Sequence, residues 1–131
     1  MLDTEKAARE VLADLQDAVA AKDLDRLTRL FDDDVVLFGT AAANLDRHQT
    51  LSYLARVVAQ EGIIRWAWDR VAILASEPQM LAFAVVGSVG LENLLGQPVG
   101  NRGDFRLTCV VVEQKGRWRI RHFHGSVPEE G

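Results

Sequence analysis

The sequence predicts an α+β domain in which three helices precede a mostly antiparallel sheet. In the first half of the chain, apolar residues such as Val11, Leu12 and Leu15 recur at helical spacing. Beyond Gly62, apolar and polar residues alternate with a period of two, which is typical of strands with one buried face. The chain has 131 residues, of which 48% are hydrophobic and 26% are charged. This length and composition predict a single domain over residues 1–131.

The three helices are predicted from their apolar stripes and their end residues. The first runs from Thr4 to Ala21, and the second, a short one, begins at Asp23. The third runs from Asp46 to Gly62. An aspartate at a helix start can accept hydrogen bonds from free backbone amides, and glycine readily adopts the left-handed conformation that ends a helix.

Five strands are predicted, the first of them short. The acidic triplet at 32–34 is interpreted as a solvated turn that leads into a short strand over 35–38. The glycine-rich stretch 93–103 reads as a loop. The four long strands are Ile63–Ala75, Met80–Leu91, Arg102–Glu113 and Arg117–Ser126.

Charge and composition exclude several classes of partner. The net charge of −4 and the pI of about 5.3 argue against nucleic acid, which is bound by clustered Lys and Arg. Cys109 is the only cysteine, so no internal disulfide is possible, and its apolar neighbours predict a buried, inert thiol. Residues 1–5 lack the basic and apolar character of a signal peptide, and no segment approaches the roughly 18 apolar residues of a membrane span. We therefore expect a cytoplasmic protein with no membrane partner.

Two stretches of the sequence resemble a known superfamily. The residues AKDLDRL and LFDDDV, between 21 and 35, resemble the helix corner and first strand of SnoaL-like domains. The residues GRWRIRHFHGS, at 116–126, resemble their last strand and the end of the association domain of calmodulin-dependent kinases. This is the nuclear transport factor 2-like superfamily, which includes ketosteroid isomerases, SnoaL-like polyketide cyclases and scytalone dehydratase. The resemblance implies a curved sheet that forms a cone with an internal pocket, and a homodimer.

The best-known chemistry of that superfamily does not carry over to this chain. Where ketosteroid isomerases keep their carboxylate base, this chain has Gly39, and where they keep the oxyanion-hole tyrosine it has Leu15. Their protonated aspartate matches Thr108. The Asp-Arg-Asp set of limonene epoxide hydrolases is also not expected around Arg106. Steroid isomerisation by the familiar mechanism is therefore not expected.

The candidate ligand pocket depends on the last hairpin. A three-residue loop over 114–116 would pair Glu113 with Arg117. Four polar side chains would then share one face, which we interpret as a pocket wall, whereas a two-residue loop would separate the first two from the histidines. These four candidates are Arg106, Thr108, His122 and His124.

Trp66 and Trp68 are two further candidates for the pocket wall. They alternate on one face of their strand and could supply flat apolar surfaces, with core packing or a dimer contact as the alternative. On the face opposite the four polar candidates, we expect a sheet-to-sheet homodimer interface. Its predicted residues are Leu107, Cys109, Val111, Arg119, Arg121 and Phe123.

Two functions remain open from the sequence. The first is a dimeric, non-catalytic module that binds a small acidic or aromatic ligand. The second is a small-molecule isomerase, cyclase, dehydratase or hydrolase, in which Arg106 stabilises an oxyanion and His122 or His124 transfers a proton. The spacing of the two histidines suits some metal sites, but His48 belongs to the first turn of the third helix and supplies no third ligand. Neither a metal nor another cofactor is predicted.

Overall fold

The fold consists of three helices packed on an open, six-stranded mixed sheet. The computed structural model describes residues 3–39 and 42–128. Strand order in the sheet is β2-β1-β6-β5-β4-β3, and β1 pairs in parallel with β6 while the other neighbours are antiparallel. The predicted α+β fold is therefore confirmed. The elements are α1 (Thr4–Ala20), α2 (Leu24–Arg29), β1 (Phe31–Phe38), β2 (Ala43–Asn44), α3 (Arg47–Ala59), β3 (Ile63–Glu77), β4 (Met80–Glu92), β5 (Pro98–Gln114) and β6 (Arg117–Ser126).

Each of the three helices begins after an aspartate cap. The side chains of Asp3, Asp23 and Asp46 each accept a hydrogen bond from the backbone amide three residues on, at 3.0, 3.0 and 2.8 Å. The third helix ends at Ala59, earlier than Gly62. Within the described ranges, no helix has the length and apolar character needed to cross a membrane.

Lys22 joins the corner between α1 and α2 to the end of α3. Its backbone has a φ of 52°, in the left-handed region. Its Nζ donates to the carbonyl oxygens of Val58 at 3.3 Å, Gly62 at 3.0 Å and Gln60. The last carbonyls of a helix lack partners within the helix and carry partial negative charge, so a lysine ammonium there satisfies and stabilises them.

The sheet has an inner face, which the helices cover, and an outer face. Along β5 the inner side chains are the buried ones: Phe105 is 7% exposed, Leu107 2% and Cys109 0%. Arg106 and Thr108, which alternate with them, are exposed on the outer face. The inner residues of β5 belong to a core that includes the apolar stripe of α1, namely Ala8, Val11, Leu12, Leu15 and Val19.

The β5–β6 hairpin has a two-residue turn, so the predicted three-residue loop is wrong. Lys115 and Gly116 have φ values of 54° and 79°, as a tight turn of this kind requires, and Gln114 pairs with Arg117. The register then shifts between Val110 and Val111, which is the mark of a β-bulge. Beyond the bulge, His122 and His124 therefore lie on the same face as Arg106 and Thr108. The two-residue turn without the bulge would place them on the opposite face.

The acidic triplet 32–34 lies within β1, so its interpretation as a solvated turn is also wrong. Asp32 is only 3% exposed. Its carboxylate accepts a hydrogen bond from Gln114 Nε2 at 2.7 Å and lies 3.7 Å from Nε of Arg121. Arg121 also donates to the carbonyl oxygen of Asp34. The triplet thus ties β1 to the last hairpin, because a buried carboxylate needs such partners.

Substitution of Lys22 by Met should lower the free energy of unfolding by about 1–2 kcal/mol, because the ammonium donors are lost while most of the side-chain volume is kept. Urea unfolding followed by circular dichroism would measure the change. The matched control is Lys6→Met, since the Lys6 side chain is 73% exposed and should contribute less than about 0.5 kcal/mol. Equal effects of the two substitutions would contradict a capping role for Lys22.

Candidate functional site

A cavity of about 400 Å³ opens at one end of the inner face. It lies between α3 and the sheet, where β3 and β5 begin and β4 and β6 end. Among the described residues, no Asp, Glu, Lys, Arg or His borders it. Aromatic side chains form much of its wall: Tyr53, Trp66, Phe105 and Phe123.

The two tryptophans stack, and only one of them borders the cavity. Trp66 lies against Trp68 with ring centroids 5.9 Å apart and planes inclined by 15°. The ring centroid of Phe105 lies 6.4 Å from that of Trp66 and 5.9 Å from that of Trp68. Trp66 borders the cavity, while Trp68 packs beside it without reaching the wall. The indole Nε1 of Trp66 is buried and has no acceptor among the described residues.

Gln16 fixes the edge strand that carries Trp66. Its Oε1 accepts from the Trp66 backbone amide at 2.8 Å, and its Nε2 donates to the Ile64 carbonyl at 2.9 Å. Because β3 is the last strand of the sheet, its outer backbone groups have no strand neighbour. Gln16 of α1 takes the place of that neighbour and holds this wall of the cavity.

Glycines shape the opposite wall. A Cβ on Gly125 would lie 2.5 Å from Cζ of Phe105, so the ring can pack there only because no side chain is present. A Cβ on Gly39 would lie 3.2 Å from the Tyr53 hydroxyl oxygen. The Tyr53 hydroxyl therefore occupies the neighbourhood that a side chain at position 39 would enter.

The four polar residues predicted to line the pocket lie elsewhere. Thr108 pairs with His124, and the bulge places His122 on the same side, so the four do share a face. That face is the outer one, and none of the four borders the cavity. Their predicted place in the cavity is corrected because Phe105, Leu107 and Cys109 are the more apolar alternate set of β5 and occupy its inner positions.

On the outer face, the histidines pack against β1. His122 Nδ1 donates to the carbonyl oxygen of Val36 at 2.9 Å. The ring of Phe38 meets both imidazoles edge to face, with centroids 5.5 and 5.4 Å away. Arg106 forms no ion pair with a described residue, Asp104 included, and no group of His, Cys, Asp and Glu in the described ranges could hold a metal.

The predicted dimer interface is likewise corrected. Leu107, Cys109, Val111 and Phe123 are 7% exposed or less and pack under the helices, so they are core residues. Arg119 pairs with Val112 on the outer face and donates to the carbonyl oxygen of Phe31 at 2.6 Å.

Burial raises the pKa of the Cys109 thiol far above its usual range. The side chain is fully buried in the core, on the face opposite to Arg106 and the histidines. An uncharged thiol without access to solvent is a poor nucleophile. Cys109 is thus a packing residue in this fold.

Sequence reasoning missed Tyr53 and Phe105 as cavity residues. Phe105 could have been found from the strength of the alternation in β5, where one set of side chains is uniformly apolar and the other begins with Arg106 and Thr108. Tyr53 lies on α3 and reaches the cavity only through its position relative to Gly39. No local pattern in the sequence marks that contact.

Comparison with known families places the chain. The model of the SnoaL-like domain family matches residues 8–130. The chain belongs to this family. No curated protein matches the sequence.

Several solved structures share the fold at low sequence identity. A Xanthomonas campestris protein, provisionally described as a calcium/calmodulin-dependent protein kinase II association domain, has a TM-score of 0.78 at 18% identity, covering 95% of this chain and 87% of that one. A Novosphingobium aromaticivorans protein, provisionally described as an aromatic ring hydroxylase, has a TM-score of 0.79 at 13% identity, covering 98% of this chain and 91% of that one. A Streptomyces avermitilis protein, provisionally described as a dehydratase of the nuclear transport factor 2-like family, has a TM-score of 0.81 at 11% identity, covering 97% of this chain and 98% of that one. These similarities establish the fold alone.

Cys109 should resist alkylation by iodoacetamide in the native protein at about pH 8, near the pKa of a free thiol. We expect a rate at least roughly 100-fold below that of free cysteine, because the thiol is both uncharged and inaccessible. Mass spectrometry of the intact chain would follow the reaction, with the urea-unfolded protein as the control that reacts fully. Rapid native labelling would show that the core opens around β5.

Proposed function

We propose that this SnoaL-like domain is a dimeric small-molecule-binding module whose cavity takes an uncharged, flat aromatic compound. The supporting observation is the cavity wall, which carries four aromatic and five aliphatic side chains and Asn101 and, among the described residues, no acidic or basic side chain. A charged ligand would lose its hydration there without gaining a counter-ion, at a cost of several kcal/mol. Of the acidic and aromatic ligands predicted from the sequence, the cavity favours the aromatic.

The wall also suggests how such a ligand would be oriented. Trp66 and Phe105 offer flat surfaces against which a ring can pack. The Tyr53 hydroxyl is the only side-chain hydroxyl among the described lining residues, and it can donate or accept a hydrogen bond. A volume of about 400 Å³ falls in the range of small-molecule pockets. A fused-ring compound with one hydroxyl or carbonyl group fits these features.

Binding is favoured over isomerase, cyclase, dehydratase or hydrolase activity. General acid–base catalysis needs a proton-transfer group within hydrogen-bond reach of the substrate. Tyr53 is the only side chain of this kind among the described residues that border the cavity, whereas Arg106, His122 and His124 lie on the outer face and do not border it. An enzyme that used them would have to bind its substrate outside the cavity, on the face considered next.

We also propose that the outer face is the homodimer interface. An antiparallel sheet with one face in the core usually presents polar side chains on the other. Here β4 is apolar on both faces from Met80 to Val86, which is the pattern of a strand buried on both sides. Val86 is 48% exposed in the isolated chain. The outer apolar patch consists of Met80, Ala82, Ala84, Val86, Val110 and Val112.

A second copy fits this outer apolar patch better than edge pairing does. One edge strand, β2, has only two residues. The other, β3, is held by Gln16 and by Arg9, whose guanidinium donates to the backbone carbonyl oxygen of Asp69 at 3.2 Å. Short and covered edges resist strand addition, so face-to-face packing is the remaining sheet contact. In such a dimer Arg106, Thr108, His122 and His124 would lie on the interface beside the outer apolar patch rather than around a ligand.

The ligand proposal predicts that 2-naphthol binds at least roughly tenfold more tightly than the anion 2-naphthoate, measured by isothermal titration calorimetry. Gly103→Leu should abolish the binding of 2-naphthol, because Gly103 borders the cavity and its Cβ position meets nothing within 4 Å. Tyr53→Phe should weaken it by roughly fivefold, the value of one hydrogen bond. Arg106→Gln is the outer-face control and should change nothing. Preference for the anion, or loss of binding in the Arg106 variant, would overturn the proposal.

The dimer proposal predicts a native mass of twice the chain mass of 14.5 kDa in light scattering after gel filtration. Val86→Lys should shift the protein to monomer, because the dimer would bury an unpaired ammonium directly opposite Arg106 at a cost of several kcal/mol. The matched control is Leu95→Lys, at a position that is 83% exposed on the β4–β5 loop. A monomeric wild type, or a Val86→Lys variant that still dimerises, would refute the interface.

A further inference from the structure

A groove of about 1120 Å³ lies at the end of the inner face away from the cavity. It runs between α1, α2 and the β5–β6 turn. Five cationic and three anionic side chains border it, an excess of two positive charges in a chain with a net charge of −4. The cations are Arg26, Arg29, Lys115, Arg117 and Arg119, and the anions are Glu10, Asp14 and Asp33.

Three of the five cations are available to a ligand. Arg119 lies 3.8 Å from Asp33, and Arg26 lies 3.8 Å from Asp17 outside the groove. Arg29, Lys115 and Arg117, in contrast, are exposed and make no ion pair or side-chain hydrogen bond with the described residues. They approach the groove from α2 on one side and from the hairpin turn on the other.

Apolar side chains line the same groove as these cations. Trp118 is half-buried, borders the groove and packs against the core, as does Leu30. Val11 of α1 continues this surface and is 6% exposed. A groove lined by an indole and by guanidinium groups is suited to a ring that carries negative charge, because the ring can pack on Trp118 while an arginine binds the anion.

We infer that this groove is a second binding site, which takes a small aromatic molecule with one carboxylate, sulfonate or phosphate group. The wall formed by Glu10 and Asp14 decides against a polyanion. An extended nucleic acid or acidic peptide would bring charge close to these carboxylates, whereas a single anionic group can lie on the α2 side. The acidic ligand that the sequence predicts would thus belong here, and the neutral aromatic one in the cavity.

Titration of ¹⁵N-labelled protein with 2-naphthalenesulfonate, followed by NMR, tests this site. The Trp118 indole signal, assigned with Trp118→Phe, should shift more than that of Trp66. The double variant Arg29→Gln/Arg117→Gln should bind at least roughly fivefold more weakly, and raising NaCl from about 50 to about 500 mM should weaken wild-type binding by a similar factor. Both arginines are exposed, so these substitutions should leave the fold intact.

Gly103→Leu, which fills the cavity, and Arg106→Gln, which removes an outer-face cation, should leave the binding of 2-naphthalenesulfonate unchanged. Loss of binding in Gly103→Leu would place the anion in the cavity and overturn the groove site. No binding at millimolar concentration, or binding that is insensitive to the arginine substitutions, would also overturn it. Binding of 2-naphthol in the cavity is measured separately, so either site can fail without the other.

Discussion

Coverage of one sheet face by the helices determines which side chains any ligand can meet. In β5 this constraint sends Leu107 and Cys109 inward, at 2% and 0% exposure, and Arg106 and Thr108 outward. A slip of one residue would exchange the two sets and bury an arginine without a counter-ion. The cost of that exchange fixes the register more firmly than any single contact. It also fixes the cavity as an apolar space, because the inner set carries no charge.

The turn and the bulge of the last hairpin together restore the face that a three-residue loop would give, but not its register. A two-residue turn at Lys115 and Gly116 shifts the pairing of β6 by one residue relative to a three-residue loop, and the bulge shifts it by one more in the same direction. The pairing of Thr108 with His124 therefore reaches the same face by another route. The bulge falls beside Arg121, whose side chain meets the buried carboxylate of Asp32. An irregularity in one strand thus accompanies the link to its parallel neighbour.

Sequence reasoning missed the two-residue strand β2 and the first residues of β5, but it recovered the caps and the order of the helices and long strands because each depends on neighbouring residues. It could not recover contacts between distant ones. The buried carboxylate of Asp32 accepts a hydrogen bond from Gln114, which lies 82 residues away in the sequence. The residues next to Asp32 in the sequence indicate only an acidic turn. The choice between the two faces of β5 was available, since the apolar set of Leu107 and Cys109 stands out. Polar chemistry favours the face of Arg106 and Thr108 as a pocket wall, but the cavity lies on the face that burial favours, beside Phe105.

Gly39 borders the cavity without contributing a side chain. A glycine there leaves room for the Tyr53 hydroxyl, which lies 3.2 Å from the place a Cβ would occupy. A carboxylate at the same position would crowd that hydroxyl and would also be desolvated beside Phe105 and Phe123, which border the same space. A carboxylate base at position 39 and the Tyr53 hydroxyl in the cavity wall would therefore compete for the same space. Charged side chains lie instead on the outer face and at the far end of the inner one, where Arg29 and Arg117 are exposed to solvent.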